Sequence, residues 1–249
     1  GRRLLIIGMH VHFGIEDREL LIDMMNQIRY FLPHILVLST SSPFWHGRDT
    51  GLKSYRSVVF ESLPRTGIPQ PFGSYSDYRS YVETLLVTGS IDETSHIWWD
   101  VRPSEKFPTL EIRIPDMCTR LEETLCLAAL IQAIVAKLVR LRQANQTWRI
   151  YRKHLIDENK WRAVRYGIGG KLIDFGKTKE VPFSALVGEL LAWVDDVVDE
   201  LGSRAEVEYA DTILRQGSSA DRQLAVYHRT EDFRTVVDQV VAETQEGLA

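Results

Sequence analysis

Cysteine is scarce in this sequence: Cys118 and Cys126 are the only two among 249 residues. If both lie on one helix, eight residues at ~1.5 Å each set them roughly 12 Å apart, too far to bridge. That argues against a disulfide-stapled scaffold and for a reducing, cytoplasmic setting. A basic excess is missing too. With 34 acidic against 30 basic residues the net charge is -4, so no nucleic-acid partner is expected. Nor is there a signal peptide or an uninterrupted apolar run of membrane-spanning length. The most apolar helical candidate, Leu121 to Leu141, is broken by Glu122, Glu123, Gln132, Lys137 and Arg140, and no membrane partner is expected. Internal repeats and low-complexity tracts are absent as well.

What is present is a 44% hydrophobic chain, long enough for one large domain with a real core. Leu4 to Phe13 reads as a buried strand. Asp17 then caps a helix whose apolar positions Leu20, Leu21, Met24, Ile28 and Leu32 recur at helical spacing up to Pro33. A second helical run covers Pro33 to Thr40, and Ser41 to Gly73 reads as a long surface loop, a length that is often functional. Ser76 to Leu86 is predicted helical. Ile97 to Arg102 and Thr109 to Ile114 form two strands of an antiparallel hairpin. Thr119 and Glu122 have capping-box spacing ahead of a central buried helix, Leu125 to Leu141. Beyond Gln146 a glycine-rich turn region precedes helices near Ser184 to Leu201, Ser203 to Gln216, Asp221 to Arg229 and Glu231 to Glu243, a half that reads as helical and peripheral. The class is α+β, with residues 1–145 as a catalytic sheet-and-helix portion and 146–249 as a mainly helical C-terminal portion of the same domain.

Two stretches carry acid and base at alternate positions: Trp99-Asp-Val-Arg-Pro-Ser104 and Thr109-Leu-Glu-Ile-Arg-Ile114. On a strand, alternate side chains share a face, so Asp100 and Arg102 fall together, as do Glu111 and Arg113, while Val101, Leu110, Ile112 and Ile114 take the reverse side. A carboxylate can hold Mg²⁺ while a guanidinium two residues along steadies phosphoryl oxygens. The plain alternative is a surface salt-bridge ladder.

His10 and His12 share one face of the first strand, close enough to hold a divalent metal or a phosphate, or simply to hydrogen-bond in a polar cleft. A zinc hydrolase on a βα barrel is a rival reading, opposed by the lack of regular strand-helix alternation. Ser39-Thr-Ser-Ser42, His46-Gly-Arg-Asp-Thr-Gly51, Lys53 and Arg56 put hydroxyls and cations on the long loop, suited to a carboxylate or phosphate, though ordinary loop composition explains most of this. Trp161-Arg-Ala-Val-Arg-Tyr-Gly167 presents Arg165 to a substrate or is an amphipathic helix ending at Gly167. Trp98 and Trp99 read as packing residues.

In order and spacing, Gly8-Met-His-Val-His-Phe-Gly14, Ser39-Thr-Ser-Ser-Pro43, Gly47-Arg-Asp-Thr50, Trp99-Asp-Val-Arg-Pro-Ser104, Glu111-Ile-Arg-Ile-Pro-Asp116, Trp161-Arg-Ala-Val-Arg-Tyr-Gly167 and Gly217-Ser-Ser-Ala-Asp-Arg-Gln223 resemble the bacterial carboxylate-amine ligases of the second glutamate-cysteine ligase family. The resemblance implies a glutamine synthetase-like catalytic domain, with a curved antiparallel sheet forming a partial barrel, packed with helices. It implies ATP and Mg²⁺ as cofactors, and glutamate and an amine such as cysteine as substrates, joined through an acyl phosphate. By that analogy His10 and Glu111 bind metal, and His12, Arg113 and Arg165 contact the nucleotide. Arg113 also stabilises the transferring phosphoryl group, and Asp100 and Arg102 line the same pocket. Members of the family begin with a further acidic N-terminal portion, whereas Gly1-Arg-Arg3 leads straight into Leu4-Leu-Ile-Ile7, as if the chain started inside an element. A homo-oligomer, with a separate N-terminal fragment as a further partner, is therefore expected, and a non-catalytic half or scaffold is the alternative function.

Overall fold

The computed structural model describes residues 5–246. Strand β1 (Val11–Gly14) leads to Asp17, whose carboxylate accepts from the amides of Glu19 and Leu20 and so caps helix α1 (Arg18–Ile28). Leu21, Met24, Met25 and Ile28 recur at helical spacing and are fully buried. Helix α2 (Leu32–Ser39) carries Pro33 in its first turn, where a missing N–H costs nothing. The region expected as one long loop holds more order than that. A hairpin of β2 (Phe44–Trp45) and β3 (Arg48–Asp49) turns on His46 at φ 48° and Gly47 at φ 68°. Two positive φ values are the signature of the tight turn that matches strand twist, and His-Gly announces it less clearly than Asn-Gly. Helix α3 (Tyr55–Glu61) and strand β4 (Thr66–Gly67) follow within the same stretch.

Helix α4 (Tyr75–Val87) begins at Ser74, which caps the Asp77 amide. The single strand expected over Ile97 to Arg102 is split. Its first part, β5 (Trp98–Trp99), pairs in parallel with β4, and its second, β6 (Val101–Pro103), pairs antiparallel with β7 (Thr109–Ile112). Asp100 is the joint: its amide donates to the Gly67 carbonyl at 2.9 Å and its carbonyl accepts from the Arg113 amide at 2.8 Å. Strand β1 joins the other side of β7, giving a three-stranded antiparallel sheet in the order β1-β7-β6.

The strand expected to start at Leu4 is shorter than the apolar run suggests. Leu4 lies outside the described residues; from residue 5 onward, pairing before Val11 amounts to one bridge between Gly8 and Asp116. Leu5 and Ile7 are 81% and 75% exposed. Among the described residues no named strand pairs with them, so this part of the apolar run has no second layer to bury against.

Helix α5 (Leu121–Gln143) meets the length and mean hydropathy of a membrane span, yet half of its apolar window is buried inside the protein. It packs against α1, α2 and β1. The capping box expected at Thr119 and Glu122 does not form: the N-cap is Arg120, without a side-chain bond. Tertiary partners win the Thr119 hydroxyl, which donates to Glu243 and accepts from Arg222.

The second half runs through α6 (Lys153–Tyr166), a hairpin of β8 (Lys171–Asp174) and β9 (Lys179–Pro182), α7 (Phe183–Val198), α8 (Arg204–Gln216), α9 (Ser219–Thr230) and α10 (Phe233–Gln245). It is mainly helical but not peripheral. Val187, Val194, Val207, Ala210 and Ile213 belong to the same buried cluster as Leu110 and Ile112, because α7 and α8 present apolar stripes to the long helix α5.

Candidate active site

The three-stranded sheet sorts its side chains by parity. Val101, Leu110 and Ile112 are fully buried on one face, against α1. The opposite face carries the charges. In register, Glu111 is opposite His12 on β1 and opposite Arg102 on β6, so one row across three strands reads Arg, Glu, His.

Glu111 is the hub of that row. Arg102 Nε lies 2.7 Å from its Oε2. Arg113 Nη1 ion-pairs with Oε1, His10 Nδ1 lies 3.2 Å from the same oxygen, and His12 Nε2 lies at 3.8 Å. The Glu111 side chain is 5% exposed, while those of His10 and His12 are 37% and 42% exposed. The row is therefore sealed at its acid and open along its imidazoles. Burial pushes the Glu111 carboxyl up, but hydrogen bonds from His10 and Arg102 and the charge of Arg113 outweigh it and hold the group well below the usual carboxylate range. Burial and the neighbouring Arg102 charge lower the pKa of Arg113, against the pull of Glu111. Arg102 is fixed further by the carbonyls of Ser95 and Ile97, and His12 Nδ1 sits 3.1 Å from the Thr109 hydroxyl.

The fit to a metal is partial. Two neighbouring ligands of an octahedral ion with bonds of about 2.1 Å stand roughly 3 Å apart, and the Glu111 and His10 donor atoms are separated by 3.2 Å. The set stops there. Among the described residues no group of three or more His, Cys, Asp or Glu is placed to hold a metal ion. A catalytic zinc takes three protein ligands, one more than the Glu111 and His10 pair supplies.

Not every expected residue joins the row. The Asp100 carboxylate turns to Lys160 on α6, at 2.8 Å, rather than to Glu111, because the joint between the two sheets redirects it. Arg165 donates to the Gly51 carbonyl, with no hydrogen bond to the Glu111 group. Lys53 is ion-paired with Asp221 at 2.7 Å, so the loop cation expected to grip a substrate is already engaged. Arg56 is buried, donating to the carbonyls of Arg113 and Ile114 at 3.0 Å each and lying 3.4 Å from Asp116. Asp116 also accepts from Ser41, Ser42 and Ser54, and burial raises its pKa despite Arg56. The serine-rich stretch is thus a clamp on the chain just after Arg113.

Two further buried cations, Lys160 and Arg222, hold the surroundings of the row together. Lys160 is buried between Asp100 and Glu61, at 2.8 and 3.1 Å; burial lowers its pKa, but the two carboxylates reverse that and raise it. Its position four residues after Ile156 and four before Val164 marks the inward stripe of α6, which is the signal that could have found it. Arg222 bridges Glu123 at 2.6 Å and Glu243 at 2.8 Å, tying α9 to α5 and α10.

A sequence profile for glutamate-cysteine ligase family 2 matches residues 1–239. Among similar curated proteins, one from Herpetosiphon aurantiacus is 56% identical over 99% of this chain and 64% of its own length. One from Chloroflexus aggregans is 56% identical over 99% of this chain and 63% of its own. Both carry the provisional name glutamate–cysteine ligase 2, and the chain spans just under two thirds of their length. Among solved structures, the glutamate–cysteine ligase of Francisella tularensis in complex with AMP aligns with a TM-score of 0.60 at 11% identity, over 92% of this chain and 58% of that one. A bifunctional glutathione synthetase from Pasteurella multocida aligns with a TM-score of 0.60 at 14% identity, over 92% of this chain and 32% of that one. At such identities the likeness concerns the fold.

Proposed function

Since the chain belongs to glutamate-cysteine ligase family 2, we propose that it carries the catalytic sheet of an ATP-dependent carboxylate-amine ligase of glutamine synthetase-like fold. The substrates are glutamate and an amine such as cysteine. A carboxylate is a poor acyl donor because its leaving group would be oxide. Phosphorylation removes that obstacle: the glutamate side-chain carboxylate attacks the γ-phosphorus of ATP, ADP leaves, and the amine then displaces phosphate to form the amide. The difficulty is that one anion must approach another, and nearby fixed positive charge lowers that barrier.

The observation that carries the reading is the row around Glu111. Arg102 and Arg113 bring two guanidinium charges against a single carboxylate, leaving a net positive, preorganised face beside two half-open imidazoles. Arg113 is the phosphoryl clamp, Arg102 supports Glu111, and His12 meets the nucleotide. Glu111 and His10 are the residues that would hold Mg²⁺, and the charge supplied there would offset that of the phosphates. Asp100 and Arg165 act from the margins, through Lys160 and the Gly51 loop. Two features are in keeping with this reading: a structural neighbour was solved with AMP, and the named relatives match over 99% of this chain. A homo-oligomer and a cytoplasmic location are part of the same proposal.

One observation favours the scaffold alternative: both Glu111 oxygens already have cationic partners. The test is phosphate release by the longest form its gene encodes. Release that needs ATP, Mg²⁺, glutamate and an amine together supports the ligase. Absence of nucleotide binding in that form supports the scaffold.

A further inference from the structure

Strand β7 ends at Ile112, whose register partners are Val11 and Val101, so Arg113 lies just past the last pair of the ladder. The register that aligns Glu111 does not extend to it, although its guanidinium must meet that carboxylate. Two backbone contacts take over. The Arg113 amide donates to the Asp100 carbonyl at 2.8 Å, and the Arg113 carbonyl accepts from Arg56 Nη2 at 3.0 Å.

Arg56 does more than close the second contact. Its Nη1 donates to the next carbonyl, that of Ile114, also at 3.0 Å. Successive carbonyls are joined through a planar peptide, so a single guanidinium fork that grips both fixes the plane between them. With its amide held on one side and its carbonyl on the other, Arg113 has both backbone dihedrals set, and with them the direction in which its side chain leaves the chain.

The fork is itself held from behind. Asp116 lies 3.4 Å from Arg56 Nη1 and accepts from the Ser41 amide and the Ser42 and Ser54 hydroxyls. The Ser42 hydroxyl also accepts from the Arg56 amide at 3.0 Å. Helix α9 closes the outside: the Ser41 hydroxyl donates to Ser219 and the Ser41 carbonyl accepts from Gln223, at 3.0 Å each. The 217–223 motif thereby gains a place in the same chain of contacts.

Stability alone does not call for this arrangement. Arg56 and Asp116 are 8% and 1% exposed, and a buried ion pair is often no better than apolar side chains of the same volume. The Arg56 charge also opposes that of Arg113. A cation that is costly to bury and repels its neighbour is accounted for by what its fork aligns. Resting on the ligase reading above, we propose that Arg56 is a positioning residue for phosphoryl transfer: it touches no substrate and fixes the backbone of Arg113, so that the Arg113 guanidinium is already aimed at the transferring group.

Arg56→Lys, made in the longest form the gene encodes, tests this. Lysine keeps a charge opposite Asp116 but loses the two-nitrogen fork. The kcat for phosphate release should fall about 10²-fold, as for a catalytic group displaced by a distant change, with KM for ATP and glutamate within about twofold. Because the effect runs through Arg113, the same substitution in an Arg113→Lys background should cost less than about threefold more. The control is Arg29→Lys, at a fully buried guanidinium that donates to the Tyr151 carbonyl; its kcat should stay within about threefold of wild type. Hydrogen exchange reads the tether without turnover: the Arg113 amide should exchange about tenfold faster in Arg56→Lys, with the amides of β7 unchanged. Should Arg56→Lys fail to fold, Ser42→Ala carries the same test, since it removes one bond to Asp116 and one from the Arg56 amide; a loss of kcat of about threefold with faster Arg113 exchange is then expected. Wild-type kcat in folded Arg56→Lys, an equal loss in Arg29→Lys, or effects that multiply in the double variant overturns the proposal. Faster Arg113 exchange in a protein whose wild type releases no phosphate removes the ligase reading but leaves the tether assigned. Wild-type turnover with unaltered Arg113 exchange in the variant does the reverse.

Discussion

Arg102 and Glu111 are register partners on neighbouring antiparallel strands, and their side chains meet at 2.7 Å between Nε and Oε2. Register of this kind is held by everything behind the sheet. Slipping β6 by one residue would turn Val101 outward and Arg102 into the apolar layer, so the hydrophobic face enforces the geometry of the charged one. The carboxylate is also a structural necessity, since without it two guanidinium groups would lie close together beneath little solvent.

That necessity gives the first prediction. Glu111→Ala should cost about 3–5 kcal/mol of stability, the usual penalty for stranding buried charge, and should abolish phosphate release. Glu111→Gln keeps the volume and one acceptor, and is expected to lose activity with a smaller stability change. Urea denaturation beside the turnover assay separates the two effects. A loss for Glu111→Ala below about 1 kcal/mol, the range of exposed pairs, would show that water already screens the arginines.

Arg113→Lys tests the clamp itself. Lysine keeps the charge but not the planar fork that can grip Glu111 and phosphoryl oxygens together. Turnover should fall by about 10²–10³, as when a preorganised donor to transition-state charge is removed, with the melting temperature changed far less. A variant that keeps wild-type turnover would take Arg113 out of the chemistry.

The row was legible in the sequence because strand alternation is a local rule: Glu111, Arg113, Arg102, His10 and His12 follow from parity alone, and register then brought them together. Asp100 obeyed the same rule on paper, but its joint between β5 and β6 depends on the pairing with Gly67, a contact across 33 positions that no local pattern encodes. The Thr119 hydroxyl failed as a cap for the same reason, drawn off by Arg222 and Glu243 from more than a hundred residues away. A capping box does form at Ser218 and Asp221, where both partners lie within one turn. The apolar run from Leu4 overstates the first strand because hydrophobicity reports only that a residue can be buried; the partner layer must come from elsewhere.

Gly8→Ala should destabilise the clamp behind Arg113. A Cβ at Gly8 would lie 2.3 Å from Arg56 Nη2, inside contact distance. The guanidinium cannot retreat without giving up its bonds to the carbonyls of Arg113 and Ile114. The expected cost is about 1–3 kcal/mol, that of an overpacked site, read as a lower urea midpoint. Gly14→Ala, where a Cβ meets nothing within 4 Å, is the control and should stay within about 0.5 kcal/mol.

The acid limb of stability should carry the imprint of Glu243. Burial pushes its carboxyl up, but hydrogen bonds from Arg222, Thr119 and Gln239 prevail and pull it down to about 2, against about 4.3 in an unfolded chain. With the folded value below the unfolded one, the unfolded state takes up its proton first. The contribution is therefore fully present above pH ~4.3 and drains away as pH falls toward ~2. Thermal melts of wild type should drop more steeply across that window than those of Glu243→Gln, which should already be less stable at neutral pH. Glu111 is depressed by its own partners and titrates on the acid side in both proteins, so its share cancels in the difference. Parallel curves would mean that the Arg222 bridge contributes nothing to the linkage, and that α10 is held to α9 by packing alone.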